Sequence, residues 1–161
     1  MTSRAFGSLA SILAAAGCGT SSDTRCTAML AGNVTETVTS AACARVAARD
    51  DGDSTLVLSI ASQASGVTLT VSIDLGAAPS ADTYSSETVA SWSALGTRET
   101  SDGGVCVYAA GNTAVPPGSF SLDLAGVGAT PHGTLRLVQF VQAAPQVDCG
   151  AGDNETVELE F

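Results

Sequence analysis

The fold is decided by the stretch Val67-Thr-Leu-Thr-Val-Ser-Ile-Asp-Leu75, in which apolar and polar residues alternate without interruption. Side chains of a β-strand point to its two faces in turn, so all the apolar residues of this stretch share one face. The preceding Ser54–Ser62 alternates in the same way, and a short link that contains Gly66 joins the two stretches. The pair therefore predicts an antiparallel hairpin of two half-buried strands.

The same period of two recurs along the rest of the chain. Residues 119–124 and 155–161 alternate clearly, which predicts strands with one face in solvent. In 132–141 the apolar face changes after Leu137, which predicts a central strand or a β-bulge. Weaker alternation, diluted by Ala and Ser, predicts further strands over 27–31, 34–39, 87–95 and 105–110.

Turn residues separate these stretches at short intervals, as in Asp50-Asp-Gly-Asp53 and Pro116-Pro-Gly118. The intervals leave no room for long helices, and only the Ala-rich 41–48 is compatible with a helical turn. About eight or nine short strands in roughly 135 residues predict a single all-β domain over 26–161, an antiparallel β-sandwich.

The N-terminus has the layout of a secretory signal peptide. Arg4 gives a short positive start, 5–16 is an uncharged run, and small residues follow up to Cys18. A transmembrane helix needs about 20 apolar residues, so this run is too short and too rich in Ala and Gly to span a bilayer. We therefore predict that 1–17 is a helical signal peptide that is removed from the mature protein.

The end of this segment resembles the lipobox of bacterial lipoproteins, with Leu13 upstream of Ala15-Ala16-Gly17-Cys18. The resemblance implies that lipid, palmitate included, is attached to Cys18 and that a peptidase cleaves before it. Several acyl chains would then hold the mature chain firmly at a membrane. The family most often has Leu where this chain has Ala15, so an ordinary signal peptide cut near Ala16 remains the alternative.

The residues after Cys18 give the expected location. In Gram-negative lipoproteins an Asp directly after the lipidated cysteine commonly signals retention at the inner membrane, and this chain has Gly19 there. The resemblance therefore implies the outer membrane. Residues 18–25 form a polar tether that spans at most about 25 Å, so the domain is expected to lie close to the membrane.

Cysteine counting supports this location independently. If Cys18 carries lipid, an even number of cysteines remains, and an exported protein can oxidise them to two disulfides. Four cysteines allow three connectivities, of which the most local pairs Cys26 with Cys43 and Cys106 with Cys149. A zinc site is the competing interpretation, but the chain has no close Cys-x-x-Cys pair and only one histidine.

Charge excludes one class of partner. The chain of 161 residues has 16 Asp and Glu against 6 Lys and Arg, a formal charge of −10, and the positive residues are scattered. Binding to nucleic acid needs clustered Lys and Arg, so we predict no nucleic-acid partner.

Candidates for chemistry are few. His132 is the only imidazole, and it lies beside a turn in a chain without a Gly-x-Ser-x-Gly nucleophile motif. Glu158 and Glu160 share one strand face, but no aromatic residue of this segment shares that face to stack a sugar. We therefore predict that the protein is not an enzyme and has no catalytic residues.

Calcium is the one cofactor that the sequence suggests. Two loops are rich in the oxygen ligands that calcium prefers, although neither matches the EF-hand spacing, and Asp-Gly turns alone explain part of the pattern. The candidate ligands are Asp50, Asp51, Asp53, Asp148 and Asp153.

The whole pattern resembles small exported lipoproteins of unknown function from myxobacteria and related high-GC bacteria. The resemblance implies a β-sandwich at the cell envelope and adds no chemistry. We expect a structural or interaction module on a lipid tether, with an unknown protein or glycan partner. The alternative is a calcium- or carbohydrate-binding module that uses acidic loops. The resemblance is carried by the lipobox, Cys26-Thr-Ala-Met-Leu30, Pro117-Gly-Ser-Phe-Ser-Leu122, Pro131-His-Gly-Thr-Leu135 and Val157-Glu-Leu-Glu-Phe161.

Overall fold

A computed structural model describes residues 25–31, 36–41, 43–63, 66–100, 102–113, 118–142 and 155–161. Within these ranges the chain forms eleven β-strands and no helix, which confirms the predicted all-β class and exceeds the expected eight or nine strands. The strands are β1 Arg25–Ala31, β2 Glu36–Ala41, β3 Ala44–Ala48, β4 Ser54–Ser62, β5 Val67–Gly76, β6 Asp82–Ser85, β7 Trp92–Glu99, β8 Val105–Gly111, β9 Ser119–Gly126, β10 His132–Gln142 and β11 Glu155–Glu160.

The strands form two antiparallel sheets. Sheet A has the order β2-β1-β11-β10-β9-β6, and sheet B has the order β3-β4-β5-β7-β8. The predicted hairpin is present, because β4 and β5 pair from Ser62 opposite Val67 to Ser54 opposite Gly76. The arrangement is sandwich-like, as the period-two pattern predicted.

The long strand β10 belongs to both sheets. Its first part pairs with β9 and β11 in sheet A, and Val141 and Gln142 pair with β8 of sheet B. The register with β11 shifts between Leu137 and Phe140, where the apolar pattern of the sequence changes face. Both predicted features, a central strand and a bulge, are therefore confirmed, and the bulge lies where the strand passes from one sheet to the other.

The inner faces of the two sheets share one hydrophobic core. Buried side chains alternate along β5 and along β9, and Leu56, Val71 and Leu122 are fully buried. Trp92 of sheet B meets Phe120 of sheet A edge to face, with ring centroids 5.0 Å apart. Burial of apolar side chains between the two sheets is the main force that holds them together.

A disulfide joins Cys26 in β1 to Cys43, which directly precedes β3, so it connects sheet A to sheet B. The Cα atoms are 6.0 Å apart, and both side chains are buried. This confirms one of the two predicted pairings. Cys106 is also buried and disulfide-bonded, but its predicted partner Cys149 lies outside the described residues, so that pairing stays a prediction.

Two local predictions were wrong. Ala44–Ala48 of the Ala-rich segment form a strand, β3, and not the helical turn with which the sequence was compatible, because their backbone pairs with β4 from Ala44 opposite Leu58 to Ala48 opposite Ser54. The strand expected over 87–95 begins only at Trp92. Residues before it form a turn in which the Thr88 hydroxyl accepts from the Ser85 amide and donates to its carbonyl, and the short β6 precedes that turn.

The predicted signal peptide, Cys18 and most of the tether lie outside the described residues. No helix in the part of the chain that the structure describes is long and apolar enough to cross a membrane.

Candidate binding groove

The outer face of sheet A brings together side chains that are far apart in sequence. Across its strands, the backbone register aligns one row of six residues, Thr39, Thr27, Glu160, Thr134, Asp123 and Thr83. The neighbouring row is Thr37, Met29, Glu158, Arg136, Ser121 and Ser85. These rows follow from strand alternation, since the residues between them point inward to the core.

A cavity of about 550 Å³ lies over these two rows and is lined by all their members except Thr39 and Ser85. We call it the sheet A groove. Its floor passes over the backbone of Leu122, Leu135 and Leu159, whose side chains are buried on the other face of the sheet. The lining side chains reach from Thr37 in β2 to Thr83 in β6, so the groove crosses all six strands, about 24 Å at the usual strand spacing.

The groove is negatively charged. Three carboxylates line it, those of Asp123, Glu158 and Glu160, together with one guanidinium, that of Arg136. Arg136 Nε lies 3.5 Å from Glu158 Oε1, and the two side chains are 61% and 51% exposed. Such an exposed pair contributes little to stability, about 0 to 1 kcal/mol, so Arg136 acts mainly by balancing Glu158. Asp123 and Glu160 have no ion-pair partner in the described part of the chain, which leaves two uncompensated charges.

Open hydroxyls and one thioether complete the groove. The Thr27 and Thr134 hydroxyls, on either side of Glu160, make no side-chain hydrogen bond with any described residue. Met29 is 40% exposed, whereas Ala28, which precedes it in β1, is buried on the other face of the sheet. A flexible, polarisable side chain at the surface adapts to apolar groups of different shapes. The described lining contains no aromatic side chain.

The sequence had placed Glu158 and Glu160 on one strand face, and the structure brings both into the groove. The sequence did not predict that Asp123 and Arg136 lie beside these two glutamates. Asp123 comes from β9 and Arg136 from β10, and only the strand register sets them beside β11. A signal was present, since each is a charged residue between two buried leucines, but alternation alone does not show which strands pair.

The calcium hypothesis is not supported by the described loop. Arg49 binds Asp51 at 2.9 Å and Asp74 at 3.2 Å, so one candidate carboxylate already has a partner. Asp53 N–H donates to Asp51 Oδ1, as expected for a turn. Among the described residues no three His, Cys, Asp or Glu side chains form a group that could hold a metal ion. Asp148 and Asp153 lie outside the described residues, so their proposed role stays a prediction.

His132 lies at the start of β10, and its imidazole is exposed. Nδ1 lies 3.4 Å from the Thr130 carbonyl oxygen, and the ring packs against Gly126. No carboxylate contacts the imidazole within the described ranges, so His132 does not form part of a Ser-His-Asp triad there.

Comparisons of this chain with known protein families, with curated proteins and with solved structures find no match.

Proposed function

We propose that this protein is a lipid-anchored module of the cell envelope, that it is not an enzyme, and that it binds a partner in the sheet A groove. The observation that carries the proposal is the groove itself, a cavity of about 550 Å³ on an exposed sheet face, lined by charged and hydroxyl side chains. Proteins commonly bind ligands in concave surfaces that have a few convergent polar groups.

The described lining of the groove supports a binding role rather than catalysis. It contains no histidine or cysteine, and none of its hydroxyls is hydrogen-bonded to a base. An enzymatic nucleophile needs such an activating partner. Two carboxylates can hydrolyse glycosidic bonds, but that reaction also needs a sugar held firmly over them, and the described lining offers no ring for stacking.

The predicted lipid anchor fits the position of the groove. The tether ends at Arg25, where β1 begins, and Thr27, the first groove residue, follows two positions later. With a tether of at most about 25 Å, the groove would be held near the membrane that carries Cys18. We propose the outer membrane as that location, because Gly19 follows the lipobox cysteine.

A second candidate function is carbohydrate binding in the same groove. It is favoured by the open hydroxyls of Thr27 and Thr134 beside Glu160, since hydroxyl and carboxylate groups are natural partners of sugar hydroxyls. The two functions differ in charge dependence, because a neutral sugar would bind equally well in high salt.

Replacement of the anchor cysteine tests the location. We expect Cys18→Ser to move the protein from the membrane fraction to the soluble fraction of the envelope, because no lipid can be attached to the serine. Immunoblots of the two fractions measure the change. An unchanged distribution would show that the lipobox interpretation is wrong, and Cys18→Ala serves as a second variant to exclude an effect of the new hydroxyl.

Photocrosslinking tests the binding surface. A photoreactive phenylalanine analogue is placed at Thr134, at the centre of the groove, or at Thr70, an exposed threonine on the outer face of sheet B. We expect a shifted band after irradiation of intact cells only with the analogue at position 134. Equal crosslinking from both positions, or none from either, would contradict the proposed role of the groove.

A further inference from the structure

We infer that the occupant of the sheet A groove is an extended cationic peptide segment in which basic residues are three positions apart. The inference rests on the proposed binding function of the groove and adds the chemistry of the partner. Three features of the groove carry it: its charge, the spacing of its uncompensated carboxylates, and its length.

The charge of the groove selects a cationic partner. Three carboxylates against one guanidinium leave a formal charge of −2 within the groove, on a chain whose formal charge is −10. An anionic ligand would meet repulsion both from the groove and from the whole chain. A cationic segment would find two exposed carboxylates, Asp123 and Glu160, that have no ion-pair partner among the described residues.

The spacing of these two carboxylates sets the register of the partner. Thr134 pairs with Glu160 on one side and with Asp123 on the other, so the two acidic residues lie two strand spacings apart, about 10 Å. An extended polyproline II segment rises about 3.1 Å per residue with three residues per turn, which places every third side chain on the same side at intervals of about 9 Å. Lysine or arginine side chains three positions apart would therefore reach both carboxylates.

The rest of the groove suits a peptide backbone. A length of about 24 Å accommodates about eight residues at this rise. The backbone of a polyproline II segment has no internal hydrogen bonds, so its amide and carbonyl groups need partners, and the open hydroxyls of Thr27 and Thr134 can donate or accept. Exposed Met29, in the adjacent row, offers a contact for an apolar side chain of the segment.

Other occupants fit less well. A neutral sugar would leave the two uncompensated carboxylates without a counter-charge and would find no aromatic ring in the described lining. A polyamine supplies the charge but has no carbonyl groups to accept hydrogen bonds from the threonine hydroxyls. The peptide is the occupant that uses the carboxylates, the hydroxyls and the length together.

Binding of labelled peptides to the full protein tests the inference. The protein is purified from its membrane in an uncharged detergent, and fluorescence anisotropy is measured with four octapeptides built on serine. The first has lysines at positions 3 and 6, the second has lysines at positions 4 and 5, and the other two carry glutamine or glutamate at positions 3 and 6. We expect the first peptide to bind about tenfold tighter than the glutamine peptide, and its affinity to fall in high salt.

Matched variants locate the binding. We expect the double variant Asp123→Asn and Glu160→Gln to weaken binding of the first peptide about five- to tenfold, the effect of losing two exposed ion pairs. The control double variant Asp50→Asn and Glu99→Gln changes the net charge equally at exposed residues away from the groove, and we expect a change of less than about twofold. All four side chains are outside the core, so the folded state should be retained.

The outcomes separate the inference from the proposed function. If the glutamate peptide or a neutral oligosaccharide bound best, and the groove variants weakened that binding, the groove would remain a binding site and the cationic assignment would be wrong. If spermidine bound as tightly as the first peptide, or if the two lysine spacings bound equally, the peptide register would be wrong. Absence of any binding together with absence of crosslinking at position 134 would overturn both.

Discussion

The two outer faces of the sandwich come from the same sequence pattern and differ in chemistry. The sheet A groove, a cavity of about 550 Å³ on the outer face of that sheet, is lined by three carboxylates and one arginine. The centre of the sheet B face is uncharged, with the cross-strand rows Val57, Ser72 and Ser93, then Ser59, Thr70 and Leu95, then Ala61, Thr68 and Thr97. Smaller cavities of about 210 and 360 Å³ lie at its margins.

The hydroxyls of the two faces also differ in their partners. On sheet B the hydroxyls of Thr68 and Thr97 are hydrogen-bonded to each other at 2.6 Å, so each hydroxyl has a partner on the neighbouring strand. In the groove, Thr27 and Thr134 have no such partner among the described residues. Alternation along a strand assigns a residue to an outer face. The register across strands decides whether the polar side chains of that face bond to each other or are available to a ligand.

The largest expected effect tests which side chains of β9 face the core and which face the groove. Leu122 is fully buried beneath the groove, and its neighbour Ser121 lines the groove itself. We expect Leu122→Ala to lower the free energy of unfolding by about 3 kcal/mol, because it leaves a cavity in the core. Ser121→Ala, the matched control, should change it by less than about 0.5 kcal/mol.

Urea denaturation of both variants measures the difference. A loss of stability in Ser121→Ala as large as that in Leu122→Ala would place the groove face of β9 in the core. The comparison of the two outer faces would then fail, because sheet A would have no open face at this strand. Ser72→Ala on sheet B provides the same control for the opposite face, since this residue is paired within the uncharged centre.

Gly133 lets β9 and β10, two strands of the sheet A groove, approach each other closely, and its substitution tests whether the groove depends on that contact. Gly133 lies at a register shift of β10, and a Cβ there would collide with the Asp123 carbonyl oxygen of β9. Its backbone also exchanges two hydrogen bonds with Phe161. We expect Gly133→Ala to cost about 2 kcal/mol and to weaken peptide binding, because the strands that carry Asp123 and Thr134 must separate.

Gly128 provides the control for this substitution. It lies in the turn between β9 and β10, and a Cβ there would meet no atom within 4 Å. We expect Gly128→Ala to change the unfolding free energy by less than about 0.5 kcal/mol and to leave peptide binding unchanged. Thermal melts and anisotropy on both variants measure these effects. Equal losses would mean that the close contact between the strands is unimportant for the groove.

Much of the fold could be predicted because its signals are local. The alternation in Val67–Gly76 and the switch after Leu137 correctly indicated a strand and a bulge. The prediction failed at β3, because Ala favours a helix locally and only pairing with β4 makes Ala44–Ala48 a strand. It also failed at β6, a strand of four residues, since so short a segment carries too little pattern to identify.

The groove could be predicted only in part. Glu158 and Glu160 belong to one strand, so their shared face follows from sequence. Asp123 and Arg136 reach the same surface through pairing between strands, which loops of variable length separate along the chain. Such long-range register is a property of the whole fold, and composition or periodicity does not contain it.

The smallest expected effect lies at the end of sheet B, in the β7–β8 hairpin. The Thr100 hydroxyl donates a hydrogen bond to Asp102, and backbone N–H groups of Asp102 and Gly104 add to it, so the pKa of Asp102 lies below its usual value. A carboxyl with a lowered pKa in the folded state stabilises the fold at pH values above its unfolded pKa, and this contribution is lost as the pH falls through the folded value. Because Asp102 is fully exposed, the contribution to stability is small.

Removal of the hydroxyl should therefore change the titration more than the stability. We expect Thr100→Val to raise the pKa of Asp102 towards its usual value, as followed by the carboxyl carbon resonance in an NMR titration, whereas Thr100→Ser should keep the lowered pKa. Peptide binding in the groove should not change in either variant, since the hairpin contributes no residue to the described lining. A change of peptide affinity in Thr100→Val would mean that the hairpin is coupled to the groove and that the outer faces of the two sheets are not independent surfaces.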